Sequence, residues 1–249
     1  MSELFSIQLQ NRQQQGRDGV WLDLPTTTEQ VQAALRQIGI SSDNPQGLFI
    51  SGYFAEEEKR FAIPYNMVLA SNVDELNFLA SRLETLSAGE RAELNAALQA
   101  PQSELSSIGR ITDFPENVDY YVHLPEVHGP AQLGDYYLNR SGMVDMPEEW
   151  KGGIDTAQFG RYVAQQEQGA FTQYGYLVKS GDAWQKVHEG QPVPEEYRVL
   201  SFPAPEVLRN SANIPPPVQP ETEPQKVIPI ILNGKDSAER MKEITDRLE

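Results

Sequence analysis

Apolar and polar residues alternate near the start of the chain, as expected for strands with one buried face. This alternation covers Phe5–Leu9, and a short apolar run follows a turn-rich stretch at Val20–Leu24, so we predict an antiparallel pair of strands. Gly47–Phe54 and Phe61–Val68 are predicted as two further strands. Between the pairs, residues 27–39 show helical spacing, with a capping box at the start and a glycine at the end. The pattern predicts a small α+β domain.

The next part of the chain has the spacing of helices. Asn72 and Glu75 are three positions apart and can cap a helix reciprocally, and Ser87 and Glu90 repeat this capping box. Leucines recur at helical spacing after both caps. A third, less regular helix is predicted over Ser103–Ile111. These elements predict a helical middle domain.

The third part of the chain mixes both kinds of spacing, so we predict a second α+β domain. Its helices are expected at Ala131–Asn139, in a short turn from Pro147 to Trp150, and after the capping residue Asp155. Its strands are expected at Tyr120–Leu124, Ala170–Lys179, Trp184–Val187 and Arg198–Phe202.

A proline-rich stretch follows, and such composition is typical of an extended linker. Beyond it we expect a strand at Lys226–Leu232 and a helix from Ser237 to Leu248. The fold class is therefore α+β, with three small domains in an elongated series, a linker and a short tail. The predicted boundaries are 1–71, 72–113, 114–203, 204–226 and 227–249.

Charge changes this picture most. The 249 residues include 36 acidic and 20 basic side chains, which gives a net charge of −16. A surface this acidic repels DNA phosphates and attracts basic surfaces, including those that normally hold DNA. Residues 114–203 have the largest share of the excess negative charge, and their acids are scattered along folded elements. Without a further argument, an ordinary solvated face is the simpler explanation of such scattering.

Other residue types limit the chemistry. The chain has no cysteine and three histidines, so we expect no disulfide, no metal site and no cofactor. It has neither a signal-peptide pattern nor an apolar run long enough to cross a membrane, so we expect a cytoplasmic protein without membrane contact.

Catalysis has little support in the sequence. Glu148 with Glu149, or Asp145 with Asp155, are the available carboxylate pairs, but neither pair has the apolar surroundings that general acid–base chemistry needs. His123 and His128 lie around a predicted strand end, and their spacing is not that of a metal site. We expect no enzyme activity, and a hydrolase that uses Glu148 or Asp155 is the catalytic alternative.

The stretch Leu133–Val178, LGDYYLNRSGMVDMPEEWKGGIDTAQFGRYVAQQEQGAFTQYGYLV, resembles the C-terminal half of the ArdA antirestriction proteins. The shared pattern is a Leu-Gly-x-Tyr-Tyr helix, a Pro-Glu segment, a helix with Phe-Gly-Arg, and a closing Gly-x-Phe-Thr-x-x-Gly-Tyr strand. GVWLDLPTTTEQVQAAL and the helix from Asn72 resemble the earlier domains of that family. The resemblance covers about Phe5–Val178.

This resemblance implies a DNA mimic: an elongated, acidic homodimer that occupies the DNA groove of type I restriction–modification enzymes and protects incoming mobile DNA. It implies no direct binding of nucleic acid. The family's antirestriction motif corresponds to Leu133–Asp145 and is associated there with the dimer contact. Asp135 departs from the Arg or Glu that is frequent in the family. The expected dimer residues are Leu133, Gly134, Tyr136, Tyr137, Leu138 and Met143.

The carboxylates that we expect to imitate phosphates share a place in the third predicted domain. They are Glu116, Asp119, Glu126, Asp135, Asp145, Glu148, Glu149, Asp155 and Glu167. An acidic adaptor that recruits a basic DNA-binding protein of a conjugative element is the alternative function. The tail KVIPIILNGKDSAERMKEITDRLE resembles the start of the ArdC-type N-terminal domain, a module that binds single-stranded DNA.

Overall fold

A computed structural model describes residues 4–14, 18–41, 46–56, 61–101 and 103–200. They form a mixed α/β protein, in agreement with the predicted α+β class. Each helix within these ranges is too short or too polar to cross a membrane. The predicted linker, the strand at Lys226–Leu232 and the helix from Ser237 to Leu248 lie outside the described residues.

The described chain divides into two compact units. The first unit comprises residues 4–98, 103–118 and 185–200, and the second is formed mainly by residues 119–184. The three predicted domains in elongated series stay a prediction.

The first unit begins with an antiparallel sheet. Its strands are β1 (Phe5–Asn11), β2 (Val20–Leu24) and β3 (Leu48–Phe54), in the order β2-β1-β3. The predicted opening pair and the next strand are therefore confirmed. Alternate β1 side chains are buried, including Ile7 and Leu9, because one face of the sheet covers the core.

The helices of the first unit are α1 (Thr28–Gln37), α2 (Tyr65–Ala70), α3 (Val73–Glu84), α4 (Ala88–Gln99) and α5 (Ile108–Thr112). The predicted capping boxes of α1, α3 and α4 are all present. Gly39, at φ +67°, follows α1 as expected. The helix predicted at Ser103–Ile111 is shorter than expected. The Ser107 side chain caps the start of α5, so the helix begins only at Ile108.

The strand predicted at Phe61–Val68 is wrong. Phe61 and Ile63 are buried, which produced an alternating pattern, but Pro64 precedes the helix α2. Proline suits this position since the first N–H groups of a helix have no internal partner and its own is missing. A short helix therefore replaces the second half of the expected strand.

Residues 185–200, which we call the return segment, pack with the first unit, whereas the sequence prediction placed them in the third domain. Two predicted strands, Trp184–Val187 and Arg198–Phe202, are wrong: the described residues of both segments, up to residue 200, are not in strands. Their backbone N–H groups bind carboxylates instead. Asp113, which is fully buried, accepts from the N–H groups of residues 187, 188 and 189, and Asp74 accepts from those of residues 199 and 200.

The second unit has a three-stranded antiparallel sheet in the order β4-β6-β5. The single strand predicted at Ala170–Lys179 is wrong: Gly175, at φ +120°, follows a tight turn that divides it into two paired strands. The predicted helix at Ala131–Asn139 ends as a π-helical turn over Tyr136–Arg140. The regular elements are β4 (Tyr121–Leu124), α6 (Pro130–Asp135), α7 (Glu148–Lys151), α8 (Thr156–Glu167), β5 (Ala170–Thr172) and β6 (Gly175–Lys179).

Helices α6 and α8 touch through two glycines. A Cβ on Gly134 would lie 1.9 Å from the carbonyl oxygen of Thr156, and one on Gly160 would lie 1.8 Å from that of Pro130. Any side chain at these positions would clash with backbone atoms, which cannot rotate aside as a flexible side chain can. Leu133 and Val163, beside the two glycines, lie in the core of this unit with Tyr137, Tyr176 and Val178.

We predict that Gly134→Ala or Gly160→Ala lowers the free energy of unfolding by about 3 kcal/mol or more, because the helices must separate. Urea unfolding measures this change. Gly89→Ala is the matched control: a Cβ there meets nothing within 4 Å, and alanine in a helix is favoured by about 1 kcal/mol over glycine. Equal stability of all three variants would contradict the close contact.

A second prediction concerns the return segment. Asp113→Asn removes one of the two acceptor oxygens and sets an amide N–H₂ against backbone donors, so we expect a loss of about 2–4 kcal/mol in urea unfolding. Asp119→Asn is the control, since Asp119 is exposed. An unchanged Asp113→Asn midpoint would show that the carboxylate does not hold this segment.

Candidate functional site

The residues of the expected antirestriction motif form much of the second unit's core. Leu133, Tyr137 and Leu138 are buried, and Gly134 lies in the contact between α6 and α8. The other two members, Tyr136 and Met143, are partly buried and pack against that core. Their role in a dimer contact stays a prediction.

A carboxylate is held between two tyrosines in this core. The Tyr137 hydroxyl donates to Glu167 Oε1 at 2.5 Å, and the Tyr176 hydroxyl donates to Glu167 Oε2 at 3.1 Å. The three side chains come from the turn after α6, the end of α8 and β6, so they join the helical layer to the sheet. Glu167 thus differs from the exposed carboxylate expected from the sequence, because both its oxygens are engaged inside the unit.

Burial governs the protonation of this group. It raises the pKa of Glu167, and the two tyrosine hydrogen bonds oppose that effect only in part. Burial also raises the pKa values of Tyr137 and Tyr176, and the nearby Glu167 charge raises them further. The hydroxyls therefore remain protonated donors at neutral pH.

Four of the expected phosphate-like carboxylates are exposed and have no ion-pair or hydrogen-bond partner among the described residues. They lie in different parts of the second unit: before β4, after β4, ahead of α7 and within α7. They are Asp119, Glu126, Asp145 and Glu149. A partner surface can reach them without breaking an existing contact.

Four others are engaged locally. Asp135 accepts from Arg140 at 2.6 Å, and its pKa is lowered by Asn139 and then by Arg140. Glu148 pairs with Lys151 at 2.7 Å. Asp155 accepts from two N–H groups at the start of α8, as its predicted capping role requires. Glu116 belongs to the first unit and pairs with Arg82.

The carboxylate pairs considered for catalysis are exposed to solvent. Glu148, Glu149, Asp145 and Asp155 are all exposed. A general acid needs a carboxyl that is buried enough to keep its proton, and these positions lack that environment. The structure thus offers no support for the hydrolase alternative at these four residues.

The histidines have local roles. His123 Nε2 lies 2.7 Å from the carbonyl oxygen of Tyr174, beside β6, while His128 is exposed. His188 lies with Asp113 and Glu116, and one ligand atom of each falls within 4.8 Å of the others. Asp113 already accepts three backbone N–H groups and Glu116 pairs with Arg82, so these carboxylates hold the return segment and α3. The sequence alone did not indicate this group, because its members are far apart along the chain.

The protonation of Glu167 predicts a pH effect. Its folded-state pKa lies above the ordinary value of 4.5, so its contribution to stability is complete below that pH and declines as the pH rises through the folded pKa. Glu167→Gln should therefore gain stability relative to the parent protein in urea unfolding as the pH rises from below 4.5 through the raised pKa of Glu167. Glu149→Gln, at an exposed position, is the matched control. If the difference in unfolding free energy between Glu167→Gln and the parent protein does not change with pH, the burial of this carboxylate is contradicted.

Comparison with known proteins identifies the family. No curated protein matches the chain. The family described as antirestriction protein (ArdA) matches residues 15–178, well over half of the sequence. The match includes β2 and β3 of the first sheet, the second sheet as far as residue 178, the glycine contact between α6 and α8, and Glu167 with its two tyrosines. The chain therefore belongs to the ArdA family of antirestriction proteins.

Proposed function

We propose that this protein mimics DNA and blocks the DNA-binding channel of type I restriction–modification enzymes, so that incoming mobile DNA is protected in the cytoplasm. Family membership supports the antirestriction role. The observation that supports mimicry is a set of exposed carboxylates on folded parts of the second unit that have no partner in the described part of the chain: Asp119, Glu126, Asp145 and Glu149.

The charge of this unit suits such a role. Residues 119–184 include nine acidic and four basic side chains. Duplex DNA has about one negative charge for every ~1.7 Å of its axis, so a channel that binds it is lined by cations. Separated carboxylates on fixed elements can meet several of these cations at once, whereas a flexible acidic tail would first have to be ordered.

We extend the proposal to an elongated homodimer in which the segment from Leu133 to Met143 contributes the contact. Tyr136 and Met143 are the members of the motif that are only partly covered in the single chain. A twofold arrangement would repeat the acidic surface along one axis, as a duplex repeats its phosphates.

The proposal predicts inhibition that depends on salt and on the four exposed acids. The variant Asp119→Asn/Glu126→Gln/Asp145→Asn/Glu149→Gln should lose about 2 kcal/mol of binding at low salt, roughly 30-fold, if each pair contributes about 0.5 kcal/mol. Inhibition of DNA cleavage and methylation by a type I enzyme measures the loss. The logarithm of affinity should also fall less steeply with salt than in the parent protein.

The matched control changes two residues without changing net charge. Glu148→Gln/Lys151→Gln removes one acid with the base that it contacts, outside the segment proposed for the dimer contact. It should inhibit as the parent protein does. A parent protein that inhibits no type I enzyme, or that inhibits without salt dependence, would overturn the proposal. Capture of a basic protein of a conjugative element without restriction subunits would favour the adaptor function.

A further inference from the structure

The solvent face of the first sheet has an unusual combination of side chains. On this face, Asp23, Ser6 and Phe54 form one row across β2, β1 and β3, and Trp21, Gln8 and Gly52 form the next. We call these six residues the aromatic face. The opposite side of β1, with Phe5, Ile7 and Leu9, covers the core, while Trp21, Asp23 and Phe54 of the aromatic face are exposed among the described residues.

Its two rings are largely in water. Trp21 is 50% exposed and Phe54 is 58% exposed, and their centroids lie 6.4 Å apart at an interplanar angle of 74°. The Trp21 ring lies across Gly52: a Cβ there would approach Trp21 Cη2 to 3.0 Å. The absence of a side chain at this position lets the indole rest on the sheet and fixes where it points. Fixed, exposed aromatic rings are the residues that most often dominate the energy of a protein interface.

The aromatic face also has a negative charge beside the rings. Asp23 is exposed, and Ser6 Oγ donates to its Oδ1 at 2.6 Å, which holds the carboxylate in its row. A ring face together with a carboxylate is complementary to a guanidinium, which stacks on the ring and pairs with the acid. The same sheet provides an example of the stacking alone: the Arg12 guanidinium lies 5.4 Å from the centroid of the Phe49 ring.

Single-stranded nucleic acid is the other ligand that stacks on aromatic rings of a sheet. Its backbone requires cations along the binding face, whereas this face has Asp23 two residues from Trp21 in β2, and the protein has a net charge of −16. Charge therefore favours a cationic protein surface over a polyanion.

We propose that the aromatic face binds an arginine-bearing surface of the inhibited enzyme, as a second contact whose strength comes from stacking and burial. The proposal rests on the function proposed above and adds a contact that is far less sensitive to salt than the exposed acids of the second unit. Trp21 and Phe54 supply the apolar area, and Asp23 orients the guanidinium.

The test compares the affinities of the parent protein and its variants for the methyltransferase core of a type I enzyme, from low to high salt. Trp21→Ala/Phe54→Ala should bind about tenfold or more weakly at every salt concentration, with an unchanged salt slope. Asp23→Asn should also weaken binding. The unfolding midpoint of this variant is measured as a control, to check that the sheet remains folded. The matched control is Trp150→Ala/Tyr162→Ala, which removes two rings exposed on the second unit.

The outcomes separate this inference from the proposed function. If the parent protein binds and the Trp21→Ala/Phe54→Ala variant, still folded, binds equally well, only the aromatic face is overturned. If the parent protein does not bind, the proposed function fails and this contact fails with it. In Trp150→Phe/Trp184→Phe, Trp21 is the remaining tryptophan. Quenching of its fluorescence by oligothymidylate at physiological salt would identify a nucleic-acid platform and overturn the proposal.

Discussion

The close contact of α6 and α8 at Gly134 and Gly160 is the constraint on which the second unit depends. With the two backbones this close, Tyr137 after α6 reaches Glu167 at the end of α8, and β6 adds the second hydroxyl from Tyr176. The Leu-Gly-x-Tyr-Tyr and Phe-Gly-Arg patterns are thus two halves of one packing arrangement. Their first requirement is structural, and any interface formed there is built on a core that these residues already fix.

Acidic residues in this chain have two distinct duties. Asp74, Asp113 and Glu167 are at least partly buried, and each accepts two or more hydrogen bonds that join separate segments of one unit. Other carboxylates, such as Glu126 and Glu149, stand in water and contribute only to the surrounding field. Composition counts both kinds equally, so the net charge overstates the number of groups that a partner can reach.

Local signals made part of the fold predictable. A capping box such as Asn72 with Glu75, or the alternation at the start of β1, is complete within a few residues and therefore visible in the sequence. The return segment was missed because its N–H groups bind Asp113, which lies 74 to 76 positions earlier. Glu167 was assigned to the surface for the same reason: its burial results from tyrosines on other elements. Asp145 and Glu149, near α7, are exposed and have no partner among the described residues, so no long-range contact was needed to place them in solvent.

The return segment also has a consequence for synthesis. Asp74 and Leu200 are joined by a hydrogen bond although they are 126 positions apart. At typical translation rates, Asp74 waits on the order of 10 s for that partner after leaving the ribosome. Residues 119–184 are complete before then, so the second unit can fold while the first still lacks its last segment. The described part of the first unit is therefore complete only after residues 119–184 have been synthesised.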